Sequence, residues 1–371
     1  MDSIALLSKL VSIGSVFPRE REIGEFLEEC LKNAGFSVQR QEISPGRFNV
    51  LAERGTRGRP VLFYGHMDTV PAEGEWKRSP CAPHEEGDRL YGLGAWDMKA
   101  GVAAIAKAAE ETKGGRRIKI AFGVDEENVS AGAQAIARSG FLDDAEAVVV
   151  TEGPLENAPG ATRCGPNIVG LGRRGRAVYR IEVTGEPAHG ATGEGASALV
   201  AAAEIVKFLT AQKLRKHETL PAASQFVRSL HSDSAALTVP DKAVLELDRH
   251  LVPPETFGSV LGELQGELKR FEKGNVKINV SLMPRETPYL APYLTDRSDA
   301  FVKRVCDIVA ARFGKAEFGY GLSVADENVF ATKRLPVVTL GPVGGSEHNP
   351  GEWVSKKSYL ELIEVLKALM E

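Results

Sequence analysis

The chain has 371 residues, of which 43% are hydrophobic and 26% charged, enough to bury a large core in one or two domains and unlike a disordered or fibrous sequence. A formal net charge of -4 and a pI near 6.1 give no general attraction to nucleic acid or acidic lipid, so neither is expected as a partner. No apolar run reaches membrane-spanning length, and the start MDSIALLSKLVSIGS lacks the basic head and unbroken apolar stretch of a secretory leader, which makes the cytoplasm the expected location.

Residues 2–13 and 20–34 have helical periodicity, and Gly35 is a natural stop for the second helix. Strands are predicted at 36–41, 49–52 and 59–64, the last running into Gly65-His66-Met67-Asp68. Side chains two apart on an extended segment share a face. His66 and Asp68 can therefore serve one polar site, with the imidazole holding a metal through one nitrogen and the carboxylate accepting a hydrogen bond from the other. Alone, the run also fits a structural or solvated strand end.

Gly92 and Gly94 precede Asp97, which either begins and caps a small-residue-rich helix over 97–112 or offers its carboxylate elsewhere. A strand at 117–124 leads to Glu126 and Glu127, a helix covers 131–138, and a strand at 147–150 leads to Glu152. This alternation predicts an α/β sheet with helices on its faces. No phosphate-binding glycine motif stands between a strand and a helix, which argues against a nucleotide fold.

From about residue 170 the pattern changes. Strands at 176–184, 243–248 and 276–282 and helices at 195–214 and 254–273 suit a β-α-β-β-α-β two-layer unit, its remaining strand falling before 243. A helix at 298–313, a strand at 335–340 and a helix at 358–370 are too little for a further domain. Residues 1–172 and 284–371 are thus expected to form one catalytic domain, with 173–283 inserted. Cys30, Cys81, Cys164 and Cys306 have no metal-knuckle spacing and read as free thiols.

Ligands of open α/β sheets gather outside the carboxyl ends of the strands. His66, Asp68, Asp97, Glu126, Glu127 and Glu152 stand at loop positions beside the strands and can converge there, and His348 lies in the loop after the strand near Leu340. Two histidines with several carboxylates suit a pair of divalent ions, zinc best of all, with cobalt or manganese as alternatives. Each residue also has a plainer reading: a solvated acidic turn for Glu126 and Glu127, a helix cap for Asp97, and a loop histidine for His348.

The stretches GHMDTVP (65–71), LYGLGAWDMKAG (90–101), VDEE (124–127), TEG (151–153), GEPAHG (185–190) and GSEHNPGEWV (345–354) carry a resemblance that spans nearly the whole chain. It resembles the zinc-dependent family that includes acetylornithine deacetylase, succinyl-diaminopimelate desuccinylase, aminoacylases and glutamate carboxypeptidases. The resemblance implies a mixed-sheet α/β metallohydrolase domain with an inserted two-layer α+β lid or dimerisation domain. It also implies two divalent metal ions per subunit. His66 and Glu152 would complete one position, Glu127 and His348 the other, with Asp97 bridging, Asp68 supporting His66, and Glu126 as general base. His189, by itself a structural or exposed histidine, would reach an active site, often the partner subunit's, to stabilise an oxyanion; a homodimer through 173–283 follows.

Two departures bear on specificity. Leu93 stands where the family often has an arginine, and His250 replaces the second of two adjacent arginines in LDRHLVP (247–253). Arg249 is a candidate for binding a substrate carboxylate or a solvated-face arginine, and His250 is the neighbouring candidate. Asp326 and Asn328 in SVADEN (323–328) either orient polar ligand groups or cap the residues that follow. The expected activity is metal-dependent hydrolysis of an amide bond in a small N-acyl amino acid or short peptide, as a deacylase or a carboxypeptidase. The alternative is a catalytically silent peptide- or metal-binding protein on the same scaffold.

Overall fold

The computed structural model describes residues 1–371 apart from 154–155, 159–160, 163–164 and 235–236, with the backbone alone at 156–158 and 161–162. Cys164 lies outside the described residues; Cys30, Cys81 and Cys306 are free thiols. The chain divides into two compact units, Met1–Arg173 with Leu294–Glu371, and Arg174–Tyr293.

The first unit is built on a nine-stranded sheet. Its principal strands are β1 (Ser37–Ser44), β2 (Arg47–Arg54), β3 (Arg57–His66), β4 (Arg116–Gly123), β5 (Ala147–Val150), β6 (Ile168–Arg173), β7 (Glu317–Gly321) and β8 (Val337–Thr339). They lie in the order β1-β2-β4-β3-β5-β8-β6, with β7 also paired to β6. β4, β3, β5 and β8 are mutually parallel, so their carboxyl ends share one edge, whereas β1 and β2 extend the sheet antiparallel. Val61 to Tyr64 and Val148 to Val150 are at most 1% exposed. Such continuous apolar runs mark strands covered on both faces. The alanine-rich helix Ala100–Glu111 packs close to β3, and the C-terminal helix Lys356–Met370 packs on that helix.

The expected helix over 97–112 begins only at Ala100. Residues 95–99 form an irregular turn in which Asp97 (φ -112, ψ 94) and Met98 (φ -129, ψ 38) are not helical, so the capping reading of Asp97 is overturned. β6 and β7 were not visible in the sequence because IVGLGR and EFGYG are interrupted by glycine, which weakens any strand pattern.

The second unit has the connectivity expected from the sequence. Its four-stranded antiparallel sheet runs Ser224–Ser232, Lys242–Leu251, Gly175–Thr184, Lys277–Leu282. Helices Ala198–Ala211 and Phe257–Leu268 cover one face, burying Ala202, Ile205, Leu209, Val260 and Leu264 against Tyr179, Ile181, Leu245 and Leu247. Ser197 caps the first helix through the Val200 N–H, and Thr256 with Ser259 forms a capping box on the second. The strand that sequence reading could only place before 243 is Ser224–Ser232. Its larger apolar side chains Phe226 and Leu230 are both exposed, and a register shift between Val227 and Ser229 sets them on opposite faces of the sheet, so the alternation does not mark a core face.

Candidate metal centre

β3 ends at His66, β4 at Gly123, β5 at Val150 and β8 at Thr339. The segments that leave these ends carry Asp68, Glu126 with Glu127, Glu152 and, further on, His348. The 95–99 turn brings Asp97 to the same edge. Its Oδ1 lies 3.2 Å from His66 Nε2 and its Oδ2 lies 3.2 Å from His348 Nε2. His348 Nε2 is also 3.1 Å from Glu127 Oε1, and His66 Nε2 is 3.8 Å from Glu152 Oε2. Two clusters result, His66-Asp97-Glu152 and Asp97-Glu127-His348, each with donor atoms within 4.8 Å of one another. Asp97 belongs to both, and Glu126 forms a third such cluster with His66 and Glu127.

The electrostatics fit cations at this place. Burial pushes Glu126 and Glu152 well above the usual carboxylate range and raises Glu127, and neighbouring carboxylates push each of them further. Burial acts the same way on Asp97, yet the hydrogen bonds from His348 and His66 hold it below its ordinary value. His66 is raised well above the normal histidine range although burial opposes this, because Asp68 and Asp97 face it. Asp97 and Glu127 push His348 up to about 11. Converging buried carboxylates are costly unless positive charge lies among them. Two imidazoles and a shared carboxylate match the donor chemistry of two divalent ions.

The supporting bonds differ in part from those anticipated. His66 Nδ1 is 3.0 Å from the main-chain oxygen of Asp68 and 3.6 Å from its carboxylate. That carboxylate instead accepts the N–H groups of Glu126 at 3.2 Å and Glu127 at 3.0 Å. Asp125 precedes them with φ 75, and its side chain takes bonds from Arg47 and from the Ala131 N–H. This locked left-handed residue turns the acidic pair into the site. Sequence reading missed Asp125 because its role lies in backbone conformation.

Glycines in 341–345 serve close approach: a Cβ at Gly341 would lie 2.1 Å from the Glu152 carbonyl oxygen, and one at Gly344 would lie 2.3 Å from the Trp96 ring. The positive φ values that follow belong to Ser346, at 60, and to His348 itself, at 58. Behind Glu152, the fully buried Glu327 accepts from Arg173 Nε and Thr339 Oγ1, each at 2.8 Å. Neither Glu327 nor Glu352, whose carboxylate meets the Gly94 to Asp97 turn, was singled out from sequence. Only their appearance inside SVADEN and GSEHNPGEWV pointed toward them.

The substrate candidates fare differently. Asp326 is 1% exposed and accepts the Tyr64 hydroxyl; burial pushes its carboxyl up to about 7. Asn328, 2% exposed, accepts the Ala325 N–H at 3.0 Å, a local cap. Both support the wall of the unit from within. Arg249 is 3% exposed, with Nη2 2.5 Å from Glu255 Oε1 and Nη1 3.0 Å from Gln225 Oε1. Its charge is engaged inside the second unit, contrary to both the carboxylate-binding and the solvated-face readings. Burial, followed by Arg174, lowers His250 to about 4, so it is neutral near pH 7. Leu93 is 3% exposed and belongs to the apolar core. His189 lies exposed in the second unit, and its Nδ1 accepts the Ala191 N–H at 3.2 Å.

A family model for peptidase family M20/M25/M40 matches residues 62–371. The chain is 28% identical over 373 residues to a succinyl-diaminopimelate desuccinylase of Methylorubrum extorquens (strain PA1), covering 95% of this chain and 94% of that protein. It is 26% identical to the protein of the same name in Sulfurovum sp. (strain NBC37-1), covering 99% and 98%. Among solved structures, a tripeptidase from Staphylococcus aureus subsp. aureus Mu50 superposes with a TM-score of 0.80 at 21% identity, covering 99% of this chain and 96% of that one. An M20 family metallo-carboxypeptidase from Sulfolobus solfataricus gives 0.72 at 18% identity, covering 100% and 99%.

Proposed function

Because this chain belongs to peptidase family M20/M25/M40, we propose that it is a dinuclear, zinc-dependent amidohydrolase that cleaves a small N-acyl amino acid or short peptide. The observation that carries this reading is the Asp97 carboxylate, with one oxygen toward His66 and the other toward His348. His66, Asp97 and Glu152 would hold one ion, and Asp97, Glu127 and His348 the other. The ions would supply Lewis acidity toward water and the amide carbonyl. Cobalt or manganese would satisfy the same donors.

Glu126 is the proton carrier. Burial raises its affinity for a proton, which suits a base that takes one from the attacking water and delivers it to the leaving nitrogen. The C–N bond breaks, a C–O bond forms, and the products are a carboxylate and an amine. Asp68 fixes Glu126 through its main-chain N–H. His189 completes the reaction as an oxyanion donor. A main-chain N–H can only donate, so the bond from Ala191 makes Nδ1 the acceptor and leaves the hydrogen on Nε2, free to meet developing negative charge.

The active species in this reading is a homodimer joined through residues 173–283. Support comes from large apolar side chains left exposed on that unit, Phe226 at 55%, Val200 at 64%, Leu199 at 40% and Leu230 at 37%. The likeness to desuccinylases favours N-acyl diamino acids, and that to peptidases favours di- or tripeptides. Hydrolysis of N-succinyl-diaminopimelate, N-acetylornithine, N-acetyl-lysine and short peptides, assayed with zinc or cobalt, tests the proposal. Two bound ions with no cleavage across the panel and tight peptide binding would replace the enzyme by a silent binding protein.

A further inference from the structure

The irregular 92–97 segment has no regular ladder for its amides, yet three of its N–H groups converge on one side chain. Those of Trp96 and Asp97 reach Glu352 Oε1 at 2.9 and 3.0 Å, and that of Gly94 reaches Oε2 at 2.8 Å. Gly94 has φ 73, a conformation that lets successive amides face one point as in an anion-binding nest. Here the acceptor is the chain's own carboxyl group, 1% exposed. The main chain adds a second tie, from the Gly92 N–H to the Glu352 carbonyl oxygen at 3.1 Å.

We propose that Glu352 is a positioning residue that fixes the Asp97 carboxylate between His66 and His348 by holding the backbone of the Gly94 to Asp97 turn. Asp97 has a non-helical backbone, so no regular hydrogen-bond ladder defines the direction of its side chain. The Glu352 bond to its own N–H supplies that definition. Glu352 also lies four residues beyond His348 in the same short loop, where its N–H bonds to Asn349 O and the Asn349 N–H bonds to Ser346 O. One carboxylate thereby ties the segment carrying the shared ligand to the segment carrying His348.

Trp96 strengthens the tie from the other side, its Nε1 donating to Pro342 O at 2.8 Å. Lys99, 1% exposed, anchors the end of the turn by donating to Ile13 O at 2.8 Å. These bonds leave Glu352 as the group on which the three amides depend. Ligand orientation by such outer hydrogen bonds commonly governs metal affinity.

This inference rests on the dinuclear reading, and the test separates the two. Zinc is titrated calorimetrically into chelator-treated wild type, Glu352→Gln and Glu352→Asp, and amide hydrogen exchange at 92–99 is compared with that in β3, β4 and β5 of the metal-free proteins. The glutamine turns an NH2 toward one of the donors, and the aspartate withdraws the accepting oxygens by one methylene. Wild type is expected to take up two ions, whereas both variants lose roughly 10- to 100-fold in zinc affinity and exchange faster only at 92–99. Wild type that binds no zinc defeats the dinuclear reading, and the exchange data still decide the clamp. Wild-type affinity in either variant, unchanged exchange at 92–99, or loosening spread evenly through β3, β4 and β5 overturns the positioning role.

Discussion

The Asp68 carboxylate lies 3.0 Å from the main-chain nitrogen of Glu127, so the residue two positions after the first histidine anchors the turn that carries a carboxylate of the second cluster. Its other oxygen holds the Glu126 N–H at 3.2 Å. Asp68→Asn must present its NH2 to one of these donors. Turnover is expected to fall by roughly 10- to 100-fold, with metal content reduced less than turnover. Steady-state kinetics on samples of measured metal content checks this, and an unimpaired turnover would remove Asp68 from the working site.

Glu126 and Glu127 are adjacent in sequence, and the proposed reaction gives them separate tasks. Glu127 Oε1 faces His348, whereas Glu126 is pushed up by burial with no such bond to hold it ionised. Glu126→Gln should lower kcat by roughly 10²- to 10⁴-fold and retain bound metal, while Glu127→Gln should lose metal along with activity. Elemental analysis beside kcat distinguishes the two. If Glu126→Gln loses its metal, the base assignment fails.

Much of this arrangement is legible in the sequence because parallel strands declare themselves as apolar runs and their carboxyl ends must open at one edge. His66, Glu126 and Glu152 each stand within a few residues of such a run. Asp97 was legible as a residue of interest, but its irregular turn was not, since nothing in AWDMK after Gly94 breaks helical propensity strongly. Asp125, Glu327 and Glu352 act through main-chain amides or buried partners that one sequence does not pair. Arg249 misled for the opposite reason: a guanidinium that looks available is already matched to Glu255.

Asp326 gives the metal-free protein a pH dependence of definite sign. Burial pushes its carboxyl up to about 7, against about 3.9 for an unfolded chain. Between those values the folded state keeps a proton that the unfolded chain releases, so stability present in acid is lost as pH rises through about 7. The slope is at most about 1.4 kcal/mol per pH unit for one group, and raised Glu126 and Glu152 act in the same direction. Urea unfolding of chelator-treated protein at pH 5 and pH 8 should show the lower stability at pH 8. In Asp326→Asn, which can still accept the Tyr64 hydroxyl, that difference should shrink; an unchanged difference refutes the assignment.

Arg249 and Glu255 form a buried pair whose partners are 3% and 8% exposed. Arg249→Met leaves the Glu255 charge without its cation and should cost about 3–5 kcal/mol of folding stability, measured by denaturant titration. KM for any substrate found should stay near the wild-type value. A KM raised roughly tenfold with stability intact would return Arg249 to the role of carboxylate binder.

The proposed dimer can be tested at Phe226, 55% exposed on the strand Ser224–Ser232 that ends its sheet. In a two-fold interface the same patch meets its own copy, so each substitution counts twice. Phe226→Glu removes apolar area and brings like charges together, and should weaken association by about 2 kcal/mol or more, as for a central aromatic anchor. Sedimentation velocity over a concentration series measures the shift toward monomer. Because the side chain is largely in water, the folding stability of the isolated chain should hold. If His189 serves the partner's site, activity per chain should fall along with the dimer fraction. Full activity in a wholly monomeric sample would separate His189 from the partner and return it to its own subunit.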